Sequence, residues 1–241
     1  MNRPVSPRVG VIQSAYIPWR GYFDFIDSVD LFIVYDDVRY SRGTWRNRNR
    51  ILLPSGPAWI TVPVEAHPAL PPIDKLRISP GGKPWRESHR GLLRQSLAAA
   101  PWGAEALAIW EAGVAGGETL LSRLNVRLME LICRHLGIRT PLRLASEFAP
   151  RGAKTERLID LLTKVGARSY LSGPAAKGYL EERQFLDHGI RLEYKSYDYA
   201  PYPQPGASFD GRVTVLDLIA NTGPAARAHL KSRTPDEVAV P

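Results

Sequence analysis

The chain has 241 residues, 44% of them hydrophobic and 23% charged, enough for one large or two small domains with a buried core. Its formal net charge is +8, which favours an anionic partner: nucleotide, sugar phosphate, nucleic acid or membrane surface. The single cysteine, Cys133, excludes an internal disulfide framework and fits a reducing cytosol.

The first residues, MNRPVSPRVGVIQSAYIPW, hold no apolar core long enough for a signal peptide. No run approaches the roughly 20 apolar residues that span a bilayer. The expectation is a soluble cytoplasmic protein without membrane insertion. RVGVIQ (8–13) is a short apolar run typical of a buried strand, and Pro18 and Gly21 punctuate the turn that follows. In YFDFIDSVD (22–30), Phe23, Ile26 and Val29 fall three apart, as on a short helix. LFIVYDD (31–37) is a second strand ending in paired acids. Strand, turn, helix and strand together predict a parallel unit with helices covering a sheet.

WITVPVE (59–65) reads as a third strand, and PALPPIDKLRIS as extended chain whose prolines forbid helix. From Trp85 to about His135 the pattern is helical; Leu120, Leu121, Leu124, Leu128, Leu131 and Ile132 follow the 3.6 period and Gly137 is a C-terminal stop. TPLRLASE (140–147) is a strand, AKTERLIDLLTKVG (153–166) an amphipathic helix, and RSYLSGPAAKGYL (168–180) a strand, a turn and a new helix. IRLEYKSYDY (190–199) is a strand or extended segment, VTVLDLIANTG (213–223) is a last helix, and the tail beyond Arg233 is expected to fray. The sum is one α/β domain over 1–241 with a mainly parallel sheet and a helical insertion at 85–137.

Chemistry concentrates in DDVRYSRGTWRNRNRI (36–51), where Asp36 and Asp37 precede Arg39, Arg42, Arg46, Arg48 and Arg50 with no further acid. Acids at the C-terminal end of a parallel strand sit where α/β sheets bind ligands. Asp36 or Asp37 is thus placed to hold a metal, a ribose hydroxyl or an amine, or to act as a base. The arginines, with Asn47 and Asn49, suit phosphate. Tyr40 and Trp45 interleave with them, so nucleic acid is a second reading; it ranks lower because the basic excess is confined to this stretch and no known nucleic-acid module is visible. The bland alternative is a solvated loop whose acids pair locally.

Two turns add weaker signals. QSAYIPWRGYF brings a strand to a helix N-terminus, an anion-binding arrangement in which Gly21 admits a ligand to the backbone. In YLSGPAAKGYL, Ser172 and the amide after Gly173 are placed to hold a phosphate and Lys177 to add charge. His67, His89, His135, His188 and His229 show no metal-ligand spacing with acids or Cys133, so no metal site is expected. His89, flanked by Arg86 and Arg90, is retained as an acid or base. Cys133 lies on an apolar helix face and reads as core.

IQSAYIPWRGYF (12–23), DLFIVYDDVRYSRGTWRNRNRI (30–51), WITVPV (59–64), WRESH (85–89), YLSGPAAKGYL (170–180) and VLDLIANTG (215–223) together resemble the WbqC-like protein family. Each motif is modest; their order along nearly the whole chain is specific. Family members occur in O-antigen and other surface-polysaccharide gene clusters and in other bacterial biosynthetic clusters. The resemblance therefore implies cytosolic biosynthesis of a modified sugar or small metabolite, and it supplies no reaction, cofactor or catalytic residue. The opening VGVIQSAYIPWRGYFDFIDSVDLFIVYDD is also similar to the nucleotidyltransferase and pantothenate-synthetase group, implying a Rossmann-like fold. That group carries a His-x-Gly-His turn whose histidines stabilise a triphosphate; here the turn reads Trp19-Arg20-Gly21-Tyr22 and both histidines are absent. Arg20, Arg48 or Lys177 is left to replace their charge.

The leading reading is a group transfer or ligation, placing an acyl or aminoacyl group on an amino sugar or small amine, with a phosphorylated or nucleotide-linked substrate. Asp37 is the candidate base or amine holder and Asp36 its structural partner. Arg46, Arg48 and Arg50 are anion clamps oriented by Asn47 and Asn49. Gln13 at the end of the first strand joins the binding set, and Tyr16, Trp19 and Tyr22 form an aromatic wall. The alternatives are a non-catalytic nucleotide- or sugar-binding protein and a tRNA or nucleic-acid binder.

Overall fold

The computed structural model describes residues 7–80, 84–206 and 208–241. The first six residues of the stretch read for a leader lie outside them. Among the described residues eight strands form: β1 (Arg8–Ile12), β2 (Leu31–Val34), β3 (Arg48–Leu53), β4 (Gly56–Thr61), β5 (Leu142–Leu144), β6 (Ser169–Ser172), β7 (Arg191–Tyr194) and β8 (Glu237–Val240). Seven α-helices accompany them among the same residues: α1 (Arg20–Asp27), α2 (Trp85–Leu97), α3 (Gly103–Val114), α4 (Leu121–His135), α5 (Lys154–Lys164), α6 (Glu182–Asp187) and α7 (Val215–Thr222).

Six strands make one sheet in the order β5-β2-β1-β6-β7-β8, parallel except for β8. Counted by chain position within the sheet, that is 3-2-1-4-5-6, a Rossmann-like α/β arrangement. Alternation along the strands divides the apolar residues between two faces. Val9, Val11, Ile33 and Leu192 pack under α5 and α6, with Phe185 and Leu161. Phe32, Val34 and Leu171 pack with α1, α2, α3, α4 and α7. Among the described residues no helix is long and apolar enough to cross a membrane.

The connection from β2 to β5 carries more than helices. α2, α3 and α4 lie within it, and so does an antiparallel hairpin, β3 with β4, that stands apart from the main sheet. The run 59–65 therefore contributes a hairpin strand rather than a sheet strand, and the arginine-rich stretch ends as strand rather than loop. Alternation explains this: Asn47, Asn49 and Ile51 turn inward, while Arg48 and Arg50 remain partly exposed on the other side. Two smaller departures involve tight turns. Ile73–Lys75 is a 3-10 turn within the proline-rich segment, and the new helix expected after β6 is a 3-10 turn, Pro174–Gly178.

The tail does not fray. Glu237–Val240 pairs antiparallel with β7, and Val240 is buried. Asp236 anchors it, accepting from Arg8 at 2.8 Å, from the Ser196 amide at 3.0 Å and from Lys195 at 3.1 Å. Those partners are 40 or more residues distant in sequence, which is why local composition suggested an end with nothing to hold it. Gly137 has φ +67° and its amide returns to Arg134 O, the helix stop expected of it.

Candidate functional site

Strand order reverses between β1 and β6, and open α/β sheets bind ligands in the crevice at the C-terminal ends of strands flanking such a reversal. Gln13 and Ser14 leave β1 there, Gly173 leaves β6, and Tyr35, Asp36 and Asp37 leave the neighbouring β2. The basic stretch and the turn after β1 meet at this point. The Tyr16 amide donates to Trp45 O at 3.1 Å, and Arg46 Nη1 donates to Gln13 O at 2.7 Å. Asn49 Nδ2 donates to Ile17 O at 2.7 Å and to Tyr16 O at 3.1 Å. Ile17 itself has φ +36°, an unusual backbone for a β-branched residue and a form of strain that clusters at functional turns. Asn49, buried, holds that turn in place.

The paired acids have different surroundings. Asp36 is buried and accepts from the Ser14 amide at 2.8 Å and from the Ser122 hydroxyl of α4. Burial pushes its carboxyl pKa up, against the opposing effect of those donors and of the nearby Arg46 guanidinium. Asn125 of α4 completes the junction, donating to Ser14 Oγ at 3.0 Å and to Arg46 O at 2.8 Å. Asp36 therefore ties together the first turn, the end of β2 and α4. Asp37 is half-buried; Arg157 of α5 reaches its Oδ2 at 2.6 Å, while its Oδ1 is buried with no partner among the described residues.

The arginines separate. Arg46 turns into the crevice, where burial lowers its pKa and the Asp36 charge opposes that; among the described residues its only hydrogen-bond acceptor is Gln13 O. Arg48 lies over the Trp59 ring at 4.3 Å and donates to Gly43 O. Arg50 pairs with Asp210 at 3.0 Å. Asn47 does not orient them: its Nδ2 donates to Val62 O and its Oδ1 accepts from the buried Tyr40 hydroxyl, both at 2.9 Å.

Tyr16, Trp19 and Tyr22 do not form one wall. A three-residue spacing aligns side chains only along a continuous helix, and here the turn at Ile17 precedes a helix that starts at Arg20. Tyr16 points into the core, where its hydroxyl accepts from Trp110 Nε1 at 2.7 Å and meets His89 Nδ1 at 2.9 Å. His89 is buried in that network and its pKa is lowered to about 4 by desolvation, with only the Thr61 backbone opposing. Tyr22 donates to Gln13 O at 2.9 Å. Trp19 packs against Tyr197 and Tyr199 at 5.3 and 5.7 Å. Its indole also fills the space over Gly21, 2.4 Å from where a Cβ would stand, so the group approaching that backbone is the chain's own tryptophan.

Around β6, Ser172 is buried and accepts from the Tyr170 hydroxyl at 3.2 Å. Gly173 is half-buried at the strand end, and Lys177 is exposed and pairs with Glu237 of β8. Cys133 is core, its thiol pushed up to about 12 by burial. Sequence reading missed Arg157, Ser122 and Asn125. Each lies on an amphipathic helix 70 or more residues from its partner, with no local signal beyond a polar residue on a helix. A cleft of about 340 Å³ also opens beside β5, floored by Val34, Val126, Leu142 and Leu144, with Ser122 at its wall. It reaches the strand ends from the sheet edge, next to the Asp36 junction.

Comparison with known proteins identifies the family of the chain. The chain is 42% identical over 228 residues to the "Uncharacterized protein Rv1507c" of Mycobacterium tuberculosis, an alignment covering 93% of this chain and 97% of that protein. No solved structure matches at a significant level. The model of the WbqC-like protein family matches residues 13–229, from the end of β1 through the turn after α7. That span contains the crevice, the hairpin and all the residues around Asp36 and Asp37, and the chain belongs to the WbqC-like protein family.

Proposed function

We propose that this protein is a cytosolic biosynthetic enzyme that transfers or ligates an acyl or aminoacyl group onto an amino sugar or small amine, taking a phosphorylated or nucleotide-linked substrate in the crevice at the ends of β1, β2 and β6. One observation carries the reading. The Asp37 carboxylate stands at the end of β2, held through one oxygen by Arg157, with the other oxygen buried and unpartnered among the described residues. A buried carboxylate fixed through one oxygen and with hydrogen-bonding capacity left on the other suits a group that accepts a proton from an attacking amine or holds its ammonium. Arg46 supplies a guanidinium at the end of β1 for an anionic substrate group, with nitrogens beyond the one on Gln13 O. Asp36, Asn49 and Arg157 position these groups. The family's occurrence in surface-polysaccharide gene clusters is consistent with an amino-sugar acceptor.

The test begins with a thermal-shift screen of nucleotides, nucleotide sugars and aminoacyl donors. A true ligand at about a hundred times its dissociation constant stabilises the fold by about 2.7 kcal/mol, about 5–10 °C for a chain of this size. With a ligand and a turnover assay in hand, Asp37→Asn is expected to keep affinity and abolish turnover, because the amide keeps the shape and cannot take the proton. A lower melting temperature with turnover per folded molecule intact would make Asp37 scaffolding. A screen in which none of these classes moves the melting temperature would remove the substrate assignment.

A further inference from the structure

The β3–β4 hairpin has one face on the body of the protein and one in solvent. Asn47, Asn49, Ile51, Ile60 and Val62 are buried on the inner side. On the outer side Arg50 stands opposite Trp59 in the register, and Arg48 opposite Thr61. Trp45, from the preceding turn, leans on Trp59 with ring centroids 5.1 Å apart and planes tilted by 38°. The Arg48 guanidinium covers Trp59 at 4.3 Å.

The ordinary reading of such a pair is local packing that stiffens a hairpin. Exposure argues against that as the whole account: Trp45 and Trp59 each keep 46% of their surface in solvent. Adjacent exposed apolar rings mark interaction surfaces more than isolated ones do. The charge around them is one-sided. Among the described residues Arg42 and Arg48 have no carboxylate partner, and Arg50 and Arg212 share the single carboxylate of Asp210. The Arg48 Nε is also buried without an acceptor among the described residues.

Aromatic rings flanked by guanidinium groups in excess of their carboxylates suit a ligand with flat faces and negative charge. A mononucleotide has both, but small ligands take concave sites that cover 70–90% of their surface. The outer face of a two-stranded ribbon, with Pro57, Trp59 and Thr61 all exposed, does not enclose one. An extended strand needs no enclosure: successive bases stack on successive rings and the backbone runs along the cations. A duplex keeps its base faces paired and stacked, leaving the tryptophans nothing to contact. We propose that the outer face of the β3–β4 hairpin binds single-stranded nucleic acid, with bases against the solvent-exposed surfaces of Trp45 and Trp59 and phosphates on Arg42, Arg48 and Arg50. This surface does not depend on the crevice chemistry, and each stands or falls without the other.

The experiment is fluorescence anisotropy of labelled 12-nucleotide oligouridylate and oligothymidylate with the full chain at 50 and 200 mM salt. Wild type binds both, and with about three phosphates neutralised the affinity falls about 20-fold between the two salt concentrations. Trp59→Ala weakens binding about tenfold, Trp59→Phe restores most of it at the same melting temperature, and Arg48→Ala flattens the salt dependence. A hundredfold excess of UMP or of polyglutamate does not displace the oligonucleotide. The proposal is overturned by absence of binding at 50 mM salt, by a Trp45→Ala/Trp59→Ala double variant that binds as wild type does, or by displacement with UMP or polyglutamate. Those last two results would assign the surface to a mononucleotide or to an acidic protein.

Discussion

His89 offers the sharpest test of how the interior is built. It is buried between Tyr16, Trp85 and Trp110, its Nδ1 meeting the Tyr16 hydroxyl at 2.9 Å while that hydroxyl accepts from Trp110 Nε1 at 2.7 Å. Its pKa falls from 6.5 to about 4, chiefly because burial penalises the imidazolium. In the unfolded chain the ring takes a proton near pH 6.5, in the folded chain only near 4. Above pH 6.5 both states are neutral and the contribution of His89 is fully present. As pH falls toward 4 the unfolded state gains a proton that the folded state refuses, so stability is lost, by about 3 kcal/mol across the window. For a chain of this size that is about 6–12 °C of melting temperature. Other groups titrate as well, so the measurement is the gap in melting temperature between wild type and His89→Gln at several pH values. At pH 7 the variant is the less stable by about 1–3 kcal/mol, having left the buried Tyr16 hydroxyl without its ring partner. The gap then closes or inverts by pH 4. A gap that stays constant from pH 7 to pH 4, or a histidine resonance assigned to His89 that titrates near 6.5, would refute the reasoning and return His89 to the pool of working acids and bases.

Three further perturbations follow from the same contacts. Lys195, buried between Asp24 at 2.9 Å and Asp236 at 3.1 Å, is expected on mutation to Met to cost about 3–5 kcal/mol in urea unfolding; a loss below about 1 kcal/mol would mean the network is solvated. Truncation after residue 234 removes β8 and leaves β7 as an open edge, so gel filtration of the truncated chain should show self-association absent from the full chain. Gly21→Ala drives a methyl into the Trp19 indole, with an expected loss of about 1–3 kcal/mol and a changed near-ultraviolet circular dichroism as Trp19 leaves Tyr197 and Tyr199; an unchanged spectrum and melting temperature would show that the ring yields freely.

Elements whose cause is local could be read from the sequence. β1, β2 and α1 announce themselves by apolar spacing, α4 by its leucine period and Gly137, and the alternation of strand and helix predicts the parallel sheet. What escaped was set at long range. Arg157 meets Asp37 across 120 residues and Arg50 meets Asp210 across 160, and neither partner carries a local mark of the other. The tail read as frayed because Asp236 looks like any acidic residue until Arg8 and Lys195 are folded beside it. Ser172 and Gly21 read as ligand-facing because strand-turn-helix segments often are; here the first is covered by the Tyr170 hydroxyl and the second by an indole.

The alternation of arginine and asparagine from 46 to 50 now has a physical account. A strand sends successive side chains to opposite sides, so one short stretch serves two surfaces. Asn47 and Asn49 go inward, one to the Val62 carbonyl and one to the carbonyls of the strained turn at 16–17. Arg48 and Arg50 go outward beside Trp59. Arg46, placed before the strand begins, follows neither rule and reaches back to the end of β1. A shift of register by one residue would bury two guanidinium groups and expose both amides, so the asparagine bonds that fix the Ile17 turn also fix which arginines face solvent. Asn49 thereby links the geometry of the crevice to that of the outer platform. Loosening it alters the backbone beside Gln13 and the arginine face of the hairpin in a single step.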